Sequence, residues 1–231
     1  MSGDGAPRFI CVPGLGLDGA LWQPTIAELG TGVRPPVVVT LPGFGVRPTP
    51  TDDLTPPGLG AQLAAGWLSD LDAPVVLAGH SASSQLVVHA AALVPDRVRA
   101  VVIVCPTIDP RAVSWSDLAG RWLRTVAREK PGQVPVLLRA WAHTGLWGMK
   151  RAMDEARRDD SLRAVAGLRS PLLVVRGPHD HICPEDWSHE LVDAAPPGST
   201  AVTLARGSHM VPLTHGDLVA SAVRRFLATL G

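Results

Sequence analysis

Apolar residues in this chain come in short unbroken runs, and the runs alternate with stretches of helical spacing. Arg8–Val12 ends in Pro13-Gly14-Leu15-Gly16, and Pro36–Leu41 is stopped by Pro42-Gly43. Val75–Ala78 runs into Gly79; Arg99–Cys105, Pro171–Arg176 and Thr200–Leu204 are similar runs. A short apolar run without polar alternation predicts a strand buried on both faces. Between the runs, Trp22, Ile26 and Leu29 recur at helical spacing, with Pro24 in the first turn. Leu59, Leu63, Trp67 and Leu71 fall four apart and predict one stripe of an amphipathic helix. Leu86–Leu93 is apolar on nearly all sides, which predicts a buried helix starting near Ser84. Glu185–Ala194 reads as helical, and Leu218, Val219, Ala222, Val223, Phe226 and Leu227 form the apolar face of a last helix. Strands alternating with helices predict an α/β fold with a parallel sheet covered on both faces. Ligands of such sheets bind beyond the carboxyl ends of the strands.

Residues 110–166 interrupt this alternation. Trp115, Trp122, Trp141 and Trp147 lie there among Arg111, Arg121, Arg124, Arg128 and Arg139, with no strand pattern. The 231 residues suffice for one large domain, and 46% hydrophobic against 18% charged residues argues for a sizeable core. Net charge is zero, with no polybasic face to ask for nucleic acid. No apolar stretch approaches a membrane span. Met1–Pro7 lacks the regions of a signal peptide, so the cytoplasm is the expected location. Cys11, Cys105 and Cys183 are an odd set without CxxC spacing, which fits reduced core thiols.

The chemistry gathers just after the strands. Gly79-His80-Ser81-Ala82-Ser83 sits between an apolar run and a helix pattern, the context of a nucleophile elbow. Its departure from Gly-x-Ser-x-Gly is Ser83 in the last glycine's place; the added hydroxyl can reach a backbone group or the site itself. A serine needs a base. Among eight histidines, His209 follows the last strand and precedes the last helix, where a loop can aim it at the elbow. His80 is expected to point the other way along the turn, and His189 and His215 read as surface-loop residues. The imidazole needs an acid to fix its tautomer. Asp180 follows the fifth strand directly; Asp109, after the fourth, is its rival. Cys105 is expected to line the site floor.

The order Ser81, Asp180, His209 resembles that of the α/β-hydrolase superfamily, of the small soluble kind, from about Phe9 to Leu230. The matching pieces are Val12-Pro13-Gly14-Leu15-Gly16, Leu41-Pro42-Gly43-Phe44-Gly45, the elbow, Gly177-x-x-Asp180 and Gly207-Ser208-His209. The first turn departs from the family by carrying Pro13-Gly14 in place of His-Gly. The resemblance implies a mostly parallel six-stranded sheet in the family's order 4-3-5-6-7-8. It implies a single domain over 1–231, with 110–166 inserted as a helical cap. The backbone N–H groups of Leu15 and Ala82 would form the oxyanion hole. Trp115, Trp122, Trp141 and Trp147 would wall an apolar substrate pocket, or glue the cap to the core.

The implied reaction is hydrolysis of a small ester, thioester or lactone through an acyl-enzyme on Ser81, with no metal or organic cofactor. The same triad could serve a lyase, a C–C hydrolase or a biosynthetic enzyme as a proton relay, and a non-catalytic small-ligand binder shares the fold. The expected partner is a small molecule, apolar in part.

Overall fold

The computed structural model describes residues 7–30, 34–69 and 71–231. Most of the N-terminal stretch examined for a signal peptide, residues 1–6, lies outside the described residues. The chain begins with β1 (Arg8–Val12) and, after a 3-10 turn, α1 (Gln23–Leu29). It continues through β2 (Arg34–Val38), a two-residue ladder of β3 (Leu41–Pro42) with β4 (Gly45–Val46), and α2 (Pro56–Leu63). Next come β5 (Val75–His80), α3 (Ser83–Leu93) and β6 (Val98–Val104). Four helices follow: α4 (Trp115–Val126), α5 (Val134–Thr144), α6 (Leu146–Ala156) and α7 (Ser161–Ala166). The chain closes with β7 (Leu172–Arg176), α8 (Glu185–Ala194), β8 (Thr200–Thr203), α9 (Val211–Thr214) and α10 (Gly216–Thr229).

Six strands form one sheet in the order β2-β1-β5-β6-β7-β8, every neighbouring pair parallel. That is the order expected from the sequence. Side chains alternate across the pleat, so each apolar run feeds two cores. Ile10, Val12, Leu77, Ile103, Leu172 and Val174 pack on one face, with α2, α3 and α8. Phe9, Cys11, Val76, Val102, Leu173 and Val175 pack on the other, with α1 and α10. Near-continuous burial is why the four inner strands show no polar alternation. The edge strands β2 and β8 are covered only in part, contrary to the burial on both faces that their apolar runs predicted.

Several boundaries differ from the sequence reading. The run read as Pro36–Leu41 is two elements, because Leu41 and Phe44 exchange backbone hydrogen bonds across a tight Pro42-Gly43 turn. The third strand extends to His80, where Gly79 and His80 still pair with Ile103 and Val104. The stripe on the second helix slips: Trp67 is 46% exposed, while Leu68 is fully buried. Residues Ala64–Leu68 form a π-helical turn, closed by Ser69 N–H donating to Ala64 O at 3.2 Å. One extra residue in that turn carries the buried position from 67 to 68. Leu93 is exposed at the end of the otherwise buried α3. His215 is buried at the start of α10, and His189 is exposed on α8, so neither is a surface-loop residue. Among the described residues, no helix is long and apolar enough to cross a membrane.

Candidate active site

The elbow stands where β5 hands over to α3. Ser81 has φ 56, a left-handed conformation that a non-glycine residue holds only when its surroundings enforce it. The enforcement is visible. Ser81 N–H donates to Val104 O at 2.9 Å, tying the turn to the end of β6. Gly79 lets the strand approach the helix: a Cβ there would lie 2.7 Å from both Ser83 O and Val87 Cγ2. Ser83 is fully buried, and its hydroxyl turns to backbone. It accepts from His80 N–H at 2.7 Å and stands 3.0 Å from Val12 O and 2.8 Å from His80 O, either of which can take its proton. The serine in glycine's place therefore ties its hydroxyl to the backbone of the turn, within reach of the end of β1.

The loop after β8 brings His209 Nε2 to 2.9 Å from Ser81 Oγ. The loop after β7 brings Asp180 Oδ2 to 2.9 Å from His209 Nδ1. A carboxylate only accepts, so Nδ1 carries the proton and Nε2 offers its lone pair to the serine. The other oxygen of Asp180 accepts from the N–H groups of Ile182 (2.9 Å) and Cys183 (3.2 Å). Burial alone would raise the Asp180 carboxyl, but the charge and hydrogen bond of His209, helped by the Cys105 thiol and Cys183 N–H, hold it below its usual 3.8. Burial alone would lower His209, yet the charge and hydrogen bond of Asp180, helped by Glu129, raise it above 6.5.

Asp109 is occupied elsewhere. Its Oδ1 accepts from Arg111 N–H (3.0 Å) and Nε (2.8 Å), and its Oδ2 from Arg121 at 2.7 Å. Those two arginines are thereby structural partners of a buried carboxylate.

His80 does not turn away from the site. Its ring is fully buried, 4.9 Å from the His209 ring, with Nε2 3.0 Å from His209 O. A Cβ on Gly14 would lie 2.6 Å from His80 Nδ1, so the ring fills the space between the first turn and the His209 loop. Burial, reinforced by the nearby His209, pushes its pKa down to about 3, so it stays neutral. Cys105 is fully buried at the end of β6, with φ 52 and its thiol donating to Ser208 O at 3.7 Å. Burial, with the charge of Asp180, holds that thiol well above its usual range. Donor atoms of Cys105, Asp180 and His209 lie within 4.8 Å of one another, but imidazole and carboxylate there are bonded to each other.

Leu15 sits in the turn after β1, where Gly16 N–H donates to Gly43 O (2.8 Å) and Leu17 N–H to Gly14 O (2.9 Å). Ala82 is the N-cap of α3. Among the described residues, neither the Leu15 nor the Ala82 N–H takes part in the backbone hydrogen bonds of these turns.

The four tryptophans separate. Trp141 Cδ1 lies 3.0 Å from where a Cβ on Gly16 would stand, and Met149 Cε 2.5 Å, so α5 and α6 reach the first turn. Trp115 is 44% exposed, donates to Asp154 at 3.0 Å and has Arg157 over its ring. Trp147 is 59% exposed under Arg151, and Trp122 is 44% exposed. The sequence pattern also concealed a clamp from the end of α4. Thr125 Oγ1 accepts from His181 N–H at 3.0 Å, and Ser208 Oγ stands 3.0 Å from His179 O and 3.2 Å from Thr125 O, either of which can take its proton. Glu129 accepts from Met210 N–H at 2.8 Å. Nothing in residue spacing marks these, because each joins groups far apart in the chain.

Residues 9–222 match the α/β hydrolase family. A pimeloyl-[acyl-carrier protein] methyl ester esterase of Xanthomonas campestris is 28% identical over 253 residues, covering 97% of this chain and 96% of the relative. A hydrolase from Oleispira antarctica superposes with a TM-score of 0.81 at 17% identity, over 98% of this chain and 93% of the other. The enol-lactonase from Burkholderia xenovorans gives 0.71 at 22% identity, over 99% and 94%. The two solved structures speak to the fold alone. With nearly its whole length matched, the chain belongs to the α/β hydrolase family.

Proposed function

We propose that this protein hydrolyses a small carboxylic ester through an acyl-enzyme on Ser81. The observation that carries the reading is the pair of 2.9 Å contacts linking Ser81, His209 and Asp180. His209 Nε2 takes the hydroxyl proton as Ser81 Oγ attacks the carbonyl carbon. The N–H groups of Leu15 and Ala82 hold the developing oxyanion, each donor contributing about 3 kcal/mol of barrier lowering. His209 returns the proton to the leaving alcohol, then activates water to release the acid. Asp180 keeps the imidazole oriented and stabilises its cation.

Segment 110–166 acts as the cap over this centre. Trp141 and Met149 are its walls nearest the oxyanion turn, and the site is thereby apolar on that side. Trp115, Trp122 and Trp147 hold the cap's outer surface in this reading. The name of the Xanthomonas relative makes a methyl ester of an acyl chain the first substrate to try. A thioester or lactone is cleaved by the same sequence of steps.

A fluorophosphonate probe should label the parent protein at Ser81 and leave Ser81→Ala unlabelled. Ester hydrolysis, assayed on methyl and p-nitrophenyl esters of graded chain length, should fall by about 10³-fold or more in that variant, since the triad acts as a unit. Unchanged turnover by Ser81→Ala would dismiss the acyl-enzyme.

A further inference from the structure

A cavity lies beside the first turn of α3, between α3, α7, α8 and the chain that leaves β6. Ser84, Gln85, Thr107 and Trp187 are among its lining residues. All four are buried, and each contributes one polar atom without a hydrogen-bond partner among the described residues: Ser84 Oγ, Gln85 Oε1, Thr107 Oγ1 and Trp187 Nε1. Buried polar groups are nearly always paired, so four residues that line one space and each leave a polar atom unpaired call for a common partner.

Their chemistry specifies that partner. Trp187 Nε1–H can only donate and Gln85 Oε1 can only accept. The orientation of the Gln85 amide is fixed, because its Nε2 faces Ala156 O at 2.9 Å, Asp159 Oδ2 at 3.1 Å and Ser161 Oγ at 3.2 Å. The hydroxyls of Ser84 and Thr107 do either. A partner must therefore both donate and accept, and a carboxylate fails because it has nothing for Gln85 Oε1. Among the described residues, no lysine or arginine lines the cavity to neutralise an anion. The centre of a water-sized sphere has about 10 Å³ in which to move, close to the room one water molecule needs.

We propose that this cavity is the binding site of a single ordered water. It donates to Gln85 Oε1 and one hydroxyl, and accepts from Trp187 Nε1–H and the other hydroxyl. Through it, the first turn of α3, which begins two residues after Ser81, is joined to Thr107 after β6 and to Trp187 on α8.

A crystal structure of the full chain, at a resolution that shows ordered waters, should contain one density peak within hydrogen-bond reach of at least three of the four atoms. In solution, the Trp187 indole N–H should give a cross-relaxation peak to water with the sign of a long-lived bound molecule. Thr107→Val and Trp187→Phe should each lower Tm, and the double variant should lose less than the sum, because both hold the same molecule. A void without density, or an indole without that water contact, overturns the proposal, and both are read on the parent protein. Strictly additive losses of Tm overturn it as well.

Discussion

Asp180 and Asp109 are both buried carboxylates just past a strand end, and their surroundings assign them opposite work. Asp180 spends one oxygen on His209; Asp109 spends both on guanidinium groups. In the proposed mechanism His209 acts as a base only when neutral, so its raised pKa would set the acid limb of kcat/KM. Asp180→Asn removes the charge that raises it. The limb should therefore move to lower pH, while kcat falls about 10³- to 10⁴-fold from loss of the oriented tautomer. Asp109→Asn should leave that limb in place and lower Tm, because Arg111 and Arg121 lose their shared carboxylate. A pH profile and a melting curve on each variant separate the two residues. That Ser81, Asp180 and His209 would lie together was legible because each follows a strand end in the family's order. His80 was not: whether its ring turns toward or away from the site depends on the space above Gly14, which residue order does not show.

The elements were legible wherever burial is continuous, as in Val98–Val104, and lost wherever a local hydrogen bond competes. The π-helical turn at Ala64–Leu68 shifted the helix stripe by one residue, and the Leu41–Phe44 turn cut a strand in two. The elbow is the element where such detail matters most for function. Gly79 is required by close approach of strand to helix, since a methyl group there meets the Ser83 carbonyl and Val87 at 2.7 Å. The carbonyl is backbone at the very start of α3 and cannot yield without moving Ser81. Gly79→Ala should cost about 1–3 kcal/mol of stability, in the range of core overpacking. It should also slow fluorophosphonate labelling of Ser81 in protein that remains folded. Denaturant melts alongside labelling rates would test this, and full stability with a parent-like rate would mean the turn has slack.

At the scale of the molecule, a parallel sheet collects its strand ends on one edge, which is why residues from positions 81, 180 and 209 can meet. Sequence alternation revealed the sheet. It did not reveal that the helices between β6 and β7 grip the same centre from the far side. Thr125 at the end of α4 holds the Asp180 loop through His181 N–H, and Glu129, just past α4, holds the His209 loop through Met210 N–H. Glu129 contributes twice, as an acceptor for Met210 N–H and as a negative charge that helps raise His209. The two contributions can be separated by substitution. Glu129→Gln keeps an oxygen for Met210 N–H and discards the charge, so the acid limb of kcat/KM should shift to lower pH while the plateau rate stays close to the parent's. Glu129→Ala discards both, so the same shift should come with a lower plateau, since the His209 loop loses an anchor. A purely structural Glu129 would lower Tm in both variants and leave the pH profile fixed. A limb that moves with the charge, independently of melting temperature, would therefore make the segment after α4 part of the electrostatic setting of His209.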